Sequence, residues 1–222
     1  SVQLIAAEDT RVTMKLLNAF DISTPLTSCH EHNERSKAVQ IAERMLAENI
    51  DVAVTTDAGT PCISDPGSVL VREATERGIP AVAVSGPTAM ASALSVSGMD
   101  ISEFTFYGFL PRQKNELREK LTDMARHSKI AVVHESPHRV IELLQQVQAV
   151  LPHTFVSASC DLTKKFEQTL RGPVEQVLRL LEENPKADKG EYCLCLRWAE
   201  EDIPAPETVR EDISLEARLF DG

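Results

Sequence analysis

The chain has little of what most ligand-binding signatures require. It holds no GxGxxG and no GxxxxGK[ST], so the standard dinucleotide and P-loop nucleotide sites have no support. No strand–GxSxG–helix elbow accompanies its serines, which argues against the serine-hydrolase reading. No stretch approaches the ~18 consecutive apolar residues needed to span a bilayer, and the expected compartment is the cytoplasm. Five scattered cysteines, with no CxxC among them, argue against a disulfide framework or a zinc ribbon. Cys193 and Cys195 sit two apart in the apolar run YCLCLRW and read as buried thiols on one strand face rather than metal ligands. His30 and His32, expected on one face of a strand, have no third or fourth ligand nearby. No metal site is expected.

Acidic residues outnumber basic ones, 34 to 23, for a net charge of −11. Such a balance argues at first against a nucleic-acid partner. Residues 200–222, however, carry eight acids against two bases; they account for −6 and leave −5 for the rest. A solvated acidic tail explains most of the imbalance.

What is present is an alternation of β-branched runs with amphipathic stretches. Strands are expected at Val2–Ala7, Leu26–Cys29, Val52–Thr56, Ala81–Val84 and Phe104–Phe109. The intervening helices are Arg11–Phe20, Lys37–Glu48, Val69–Arg77 and Thr88–Val96. After a polar linker, Leu110–Asn115, helices are expected at Glu116–Arg126, His138–Val150 and Val174–Glu182. Strands are expected there at Ile130–His134, Phe155–Ser159, Thr169–Arg171 and Glu191–Trp198. The pattern indicates βαβ units on a mainly parallel sheet. The expected architecture is α/β and two-lobed, with residues 1–110 and 111–200 as the lobes. Residues 201–222 are expected to be an acidic linker and the start of a truncated helical module, and a leading strand is expected to be missing before Ser1.

In open parallel sheets ligands bind at the carboxyl ends of strands, and four loops qualify. Thr56–Gly67 (TDAGTPCISDPG) follows the most apolar strand of the first half. Its glycines and prolines allow close backbone approach, and Asp57 can meet a ribose hydroxyl or a sulfonium; alternatively the loop only turns into a helix capped by Asp65. Ser85–Ala89 opens a helix of small residues whose free N–H groups suit an acceptor, or is simply a tightly packed cap. His134–Arg139 (HESPHR) clusters Glu135, His138 and Arg139, either as base and anion clamp or as a helix start with Ser136 as N-cap and Pro137 at the first helical position. Cys160–Glu167 places lysines beside a strand end, for phosphate or as a plain exposed hairpin.

Together with AAEDTR (Ala6–Arg11), HEHNE (His30–Glu34), GFLPR (Gly108–Arg112), LTK (Leu162–Lys164) and KGEYCL (Lys189–Leu194), these loops closely resemble the ribosomal RNA small-subunit methyltransferase I family, of the class III tetrapyrrole-methylase fold. The resemblance implies a cofactor cleft between two α/β lobes, a homodimer, and 2′-O-methylation of a decoding-region cytidine of 16S rRNA in the small ribosomal subunit with S-adenosyl-L-methionine. It implies cofactor contacts from Asp57, Ala58, Gly59, Thr60, Ile63, Thr88, Ala89, Glu135 and Leu162. Glu135 or Asp57 is then the expected base or hydroxyl-orienting group, and Lys164 and Arg139 neutralise phosphate. The RNA backbone would be held by Arg11, Lys15, Arg35, Arg112, Lys114, Arg118 and Arg139. Cys160 stands where the family usually has arginine, which removes one candidate phosphate clamp. Rival readings are a corrin or porphyrin C-methyltransferase and a non-catalytic module that kept the fold.

Overall fold

The structure, a computed structural model, describes residues 1–203 and 205. Strands β1 (Leu4–Ala7), β2 (Leu26–Ser28) and β3 (Val52–Thr55) form a parallel sheet in the order β2-β1-β3. Helices α1 (Thr10–Ala19), α2 (Glu34–Glu48), α3 (Ser68–Glu76) and α4 (Ala89–Ser95) belong to the same half of the sequence. A second sheet contains β4 (Thr105–Phe109), β5 (Ile130–Glu135), β6 (Phe155–Cys160), β7 (Gln168–Pro173) and β8 (Tyr192–Arg197), in the order β4-β5-β8-β6-β7. Helices α5 (Lys114–His127), α6 (Val140–Val150) and α7 (Val174–Glu182) complete the fold.

Period-two alternation along β5 and β8 explains how the second sheet is buried on both faces. Ala131, Val133, Leu194 and Leu196 face the large core under α5, α6 and α7. Ile130, Val132, Cys193 and Cys195 face the opposite way, onto Ala93 and Leu94 of α4. The two cysteines are thus buried thiols on one strand face as expected, and burial pushes both up to about 12. In the smaller sheet, Ala6 packs with α2 and α3, while Ile5 and Ala7 pack against Leu17 of α1.

Four expectations are corrected. The second sheet is mixed: only β4–β5 is parallel, and β8 runs antiparallel to both β5 and β6. Thr105–Phe109, expected to close the first lobe, is hydrogen-bonded into the second sheet. No strand forms over 81–84, where Val82 and Val84 are 84% and 91% exposed. The segment has β propensity but no described strand lies alongside it, and propensity without a ladder partner does not make a strand. His30–His32 enters a turn rather than a strand, with the two rings 6.0 Å apart.

Helix starts also differ from the sequence reading. Asp65 does not cap α3; its N-cap is Gly67, at φ 127°. Glu34, from the first turn of α2, takes over that role, its Oε1 accepting the Gly67 N–H at 2.6 Å and the Val69 N–H at 3.0 Å. Gly67 is required there, because a Cβ would lie 2.9 Å from Cys62 Sγ. Ser136 is likewise not the N-cap of α6; its carbonyl accepts the N–H groups of Arg139 and Val140 in a preceding turn. Of the expected acidic C-terminal segment, Glu200–Asp202 forms a short 3-10 turn. Residue 204 and residues 206–222, including the expected helical module, lie outside the described residues.

Candidate active site

The loops leaving β3 and β5, together with the segment that opens α4, converge on one cleft of about 350 Å³. That volume lies within the roughly 300–1,000 Å³ typical of small-molecule sites. Ala58, Gly59, Thr60, Ile63, Thr88, Ala89, Glu135 and Leu162 all line it. Residues singled out from both halves of the chain therefore share a single hollow. Thr60 Oγ1 ties two of the loops together by donating to the Pro87 carbonyl at 3.3 Å.

Glu135 is the most constrained group in the cleft. It is 3% exposed. Oε1 accepts the Ser136 N–H at 2.7 Å, whereas Oε2 has no hydrogen-bond partner. The nearest cation to Oε2 is the Arg139 guanidinium, 3.5 Å away. Burial raises the Glu135 carboxyl above its ordinary value, and the opposing pull of Arg139 and Arg112 does not cancel that rise. An orphaned acceptor at this depth is costly, which makes it a lone pair held ready for a donor that enters the cleft.

A second group of carboxylates surrounds the loop after β3. Glu8 Oε2 accepts from Thr56 Oγ1 at 2.5 Å and from the Asp57 N–H at 3.1 Å. Asp65 also lines the cleft. Burial, then the charges of Glu8, Asp57 and Glu191, raise the Asp65 carboxyl, and Asp57 is raised by burial and by Glu8. The site thus concentrates negative charge where a cation would be favoured.

Asp57 itself does not line the hollow and stands exposed beside it. Lys164 does not line it either; its ammonium is held by Glu191 at 2.8 Å and Asp161 at 3.2 Å, and Glu191 does reach the cleft. Arg139 is half-buried, donating to the Pro111 carbonyl at 3.1 Å. Arg11 pairs with Asp9, and Arg118 donates to Gln146. Lys15, Arg35, Arg112 and Lys114 are exposed.

Several lining residues were missed from the sequence, among them Phe109, His134, Glu191 and Tyr192. Gly108, at φ 64°, accompanies a bulge in β4 that shifts the register between Phe106 and Gly108. A bulge re-aims side chains, and here both Phe106 and Phe109 meet the His134 ring, at 5.0 and 5.7 Å. Burial lowers the His134 imidazole below its ordinary value, against the opposing charge of Glu191. Glu191 and Tyr192 are reached because β8 is antiparallel: Tyr192 pairs with Glu135, which brings the start of β8 to the carboxyl end of β5. Glu8 could have been found, since it directly follows the end of β1.

The family described as Tetrapyrrole (Corrin/Porphyrin) Methylases matches residues 1–178. The chain is 39% identical over 210 residues to "Ribosomal RNA small subunit methyltransferase I" of Halalkalibacterium halodurans, covering 95% of this chain and 72% of that protein. It is 38% identical to the protein of the same name from Escherichia coli O157:H7, covering 99% and 77% respectively. The chain belongs to the ribosomal RNA small subunit methyltransferase I family. Members of this family are S-adenosylmethionine-dependent methyltransferases, and so is this chain. Solved structures agree on the fold: a diphthine synthase superposes with TM-score 0.64 at 11% identity, covering 89% of this chain and 80% of that one. The uroporphyrin III C-methyl transferase of Thermus thermophilus gives 0.57 at 12%, covering 89% and 86%.

The residues present fit the cofactor that the family implies. Glu135 offers an unpaired buried acceptor, and the cluster of carboxylates suits the positive charge of a sulfonium.

Proposed function

We propose that this chain methylates the ribose 2′-hydroxyl of a cytidine in the decoding region of 16S rRNA, acting as a cytoplasmic homodimer on the small ribosomal subunit. Among the described residues no helix is long and apolar enough to cross a membrane. The chain's two lobes follow the two sheets, with the boundary before β4. The observation that carries the reading is the orphaned Oε2 of Glu135 at the floor of a cleft shared by both halves of the chain. The names of the relatives supply the class of substrate.

S-adenosylmethionine, when bound, supplies a methyl group already activated by its sulfonium. The protein's task is then to hold the hydroxyl oxygen in line with that methyl, and orientation of this kind accounts for roughly 7–11 kcal/mol in well-aligned systems. Glu135 fixes the donor by accepting a hydrogen bond on its free oxygen. The hydroxyl proton passes to a carboxylate at the mouth, with Asp65 in the cleft and Asp57 beside it. Raised carboxyl pKa values bring both groups closer to the working pH, where a general base is most effective. Arg112 and Arg139 flank Glu135 and draw the anionic backbone toward the cleft, while Arg11, Lys15, Arg35, Lys114 and Arg118 extend the contact. Lys164 positions Glu191 and meets phosphate only if that pair opens.

The test is transfer of labelled methyl to undermethylated small subunits, to free 16S rRNA and to uroporphyrinogen. Label resistant to alkaline cleavage at one cytidine supports the reading. Label on uroporphyrinogen alone, or on no acceptor, contradicts it.

A further inference from the structure

The turn joining β6 to β7 holds the side chain of Phe166 out into water. Phe166 is 75% exposed although Leu162, four residues earlier, packs onto the apolar cluster beside α4. The turn is internally braced. The Lys164 N–H donates to the Asp161 carbonyl at 2.9 Å and the Glu167 N–H to the Lys164 carbonyl at 3.1 Å, while Glu167 Oε2 accepts the Thr163 N–H at 2.7 Å. Asp161 and Thr163 both take positive φ, 52° and 66°, a conformation non-glycine residues adopt rarely.

Two ammonium groups from different parts of the chain lie over the exposed ring, where an incoming base would displace them. Lys165 Nζ lies 5.5 Å from its centroid and Lys186 Nζ, from the turn between α7 and β8, lies 5.9 Å away. Among the described residues neither lysine has an ion-pair partner, whereas neighbouring Lys164 is held by Asp161 and Glu191. In a chain of net charge −11, this exposed aromatic ring has two lysine ammonium groups over it, and among the described residues neither is paired with a carboxylate. It is also continuous with the cleft, because Leu162 of the same turn and Glu191, the partner of Lys164, both line it.

An aromatic face with nearby ammonium groups is the chemistry that holds unpaired nucleotides: the base stacks and the lysines meet phosphate. We infer that Phe166 is a stacking platform for an unpaired nucleotide next to the one being methylated, with Lys165 and Lys186 neutralising its two phosphates. The inference rests on the reading of the substrate as RNA.

The experiment compares Phe166→Ala, Phe166→Leu, Phe166→Tyr and the double variant Lys165→Gln/Lys186→Gln. It measures steady-state methyl transfer to undermethylated small subunits, with calorimetric titration of S-adenosylmethionine as a check on folding. Loss of stacking raises KM for the subunit roughly 5- to 150-fold in the Ala and Leu variants. The Tyr variant restores it, and cofactor affinity stays at the wild-type value throughout. In the double variant the log–log salt dependence of subunit binding becomes shallower by about 1.4, at about 0.7 per phosphate on a single strand. Wild-type KM in the Ala and Leu variants, while the unmodified protein still methylates RNA, overturns the platform but leaves the RNA reading intact. Failure of the unmodified protein to methylate any RNA overturns both.

Discussion

Replacing Glu135 by Gln separates what this carboxylate does for the fold from what it does for the cofactor. Oε2 is buried without a hydrogen bond, 3.5 Å from the Arg139 guanidinium, on a side chain 1% exposed. A buried polar atom left unpaired costs ~1–3 kcal/mol, and the amide of Gln removes the charge while keeping the shape and the acceptor for Ser136. Stability at neutral pH is therefore expected to hold or to rise by about 1 kcal/mol, a shift of roughly 2–4 °C in Tm for a chain of this size. The pH dependence has a definite sign. Because burial raises the carboxyl above its ordinary 4.5, the folded protein keeps the proton where the unfolded chain has released it. The stability contributed by Glu135 is then fully present below about pH 4.5 and is lost as pH rises through its folded-state value. The Gln variant lacks that decline. Cofactor binding moves the other way, since losing a charge-assisted hydrogen bond of ~1.5–3 kcal/mol weakens affinity roughly 10- to 150-fold. Thermal melts from pH 4 to 8 and calorimetric titration with S-adenosylmethionine read the two effects separately. Wild-type affinity in a Gln variant that melts normally would refute the role given to the free oxygen.

Asp65→Asn should lower methyl transfer by ~10²–10⁴-fold, the usual contribution of a positioned base, and should abolish the acid limb of the pH–rate profile. That limb lies above the ordinary aspartate value of 3.8, because the carboxyl is raised, and activity grows as pH climbs through it. Glu34→Ala orphans the N–H groups of Gly67 and Val69 and is expected to cost ~1–3 kcal/mol in urea denaturation. Gly67→Ala forces a Cβ to within 2.9 Å of Cys62 Sγ at φ 127° and should cost ~1–3 kcal/mol by the same measurement. Binding to small subunits should weaken steeply with salt, and Arg112→Gln should lower the log–log slope by roughly 0.7–0.9.

The first half of the fold and most of the cleft were legible in the sequence for one physical reason. β1, β2 and β3 form a parallel sheet, so the loops that follow them or lead into the next helix lie on one edge, and Gly- and Pro-rich composition marks those loops. The loops that hold Ala58, Gly59, Thr60, Thr88, Ala89 and Glu135 were singled out by that rule, while the residues themselves were what the family resemblance implied. The rule fails at β8, whose antiparallel course brings its beginning, Glu191 and Tyr192, to the site. It fails again at Phe109, which a bulge turns toward His134. Val82 and Val84 misled because β propensity says nothing about whether a partner strand is alongside. Glu34 could not be foreseen as the cap of α3, since it lies 33 residues before Gly67 and the two meet only in the folded chain.

Ala89 is exposed on the wall of the cleft, so a larger side chain there fills the hollow without entering the core. Calorimetric titration of S-adenosylmethionine into the wild-type protein and Ala89→Trp, each with its melting curve, asks whether this cleft holds the methyl donor. One saturable site in the wild type, lost in the Trp variant at unchanged Tm, is the predicted result. Equal binding by both proteins would place the donor elsewhere and contradict the account.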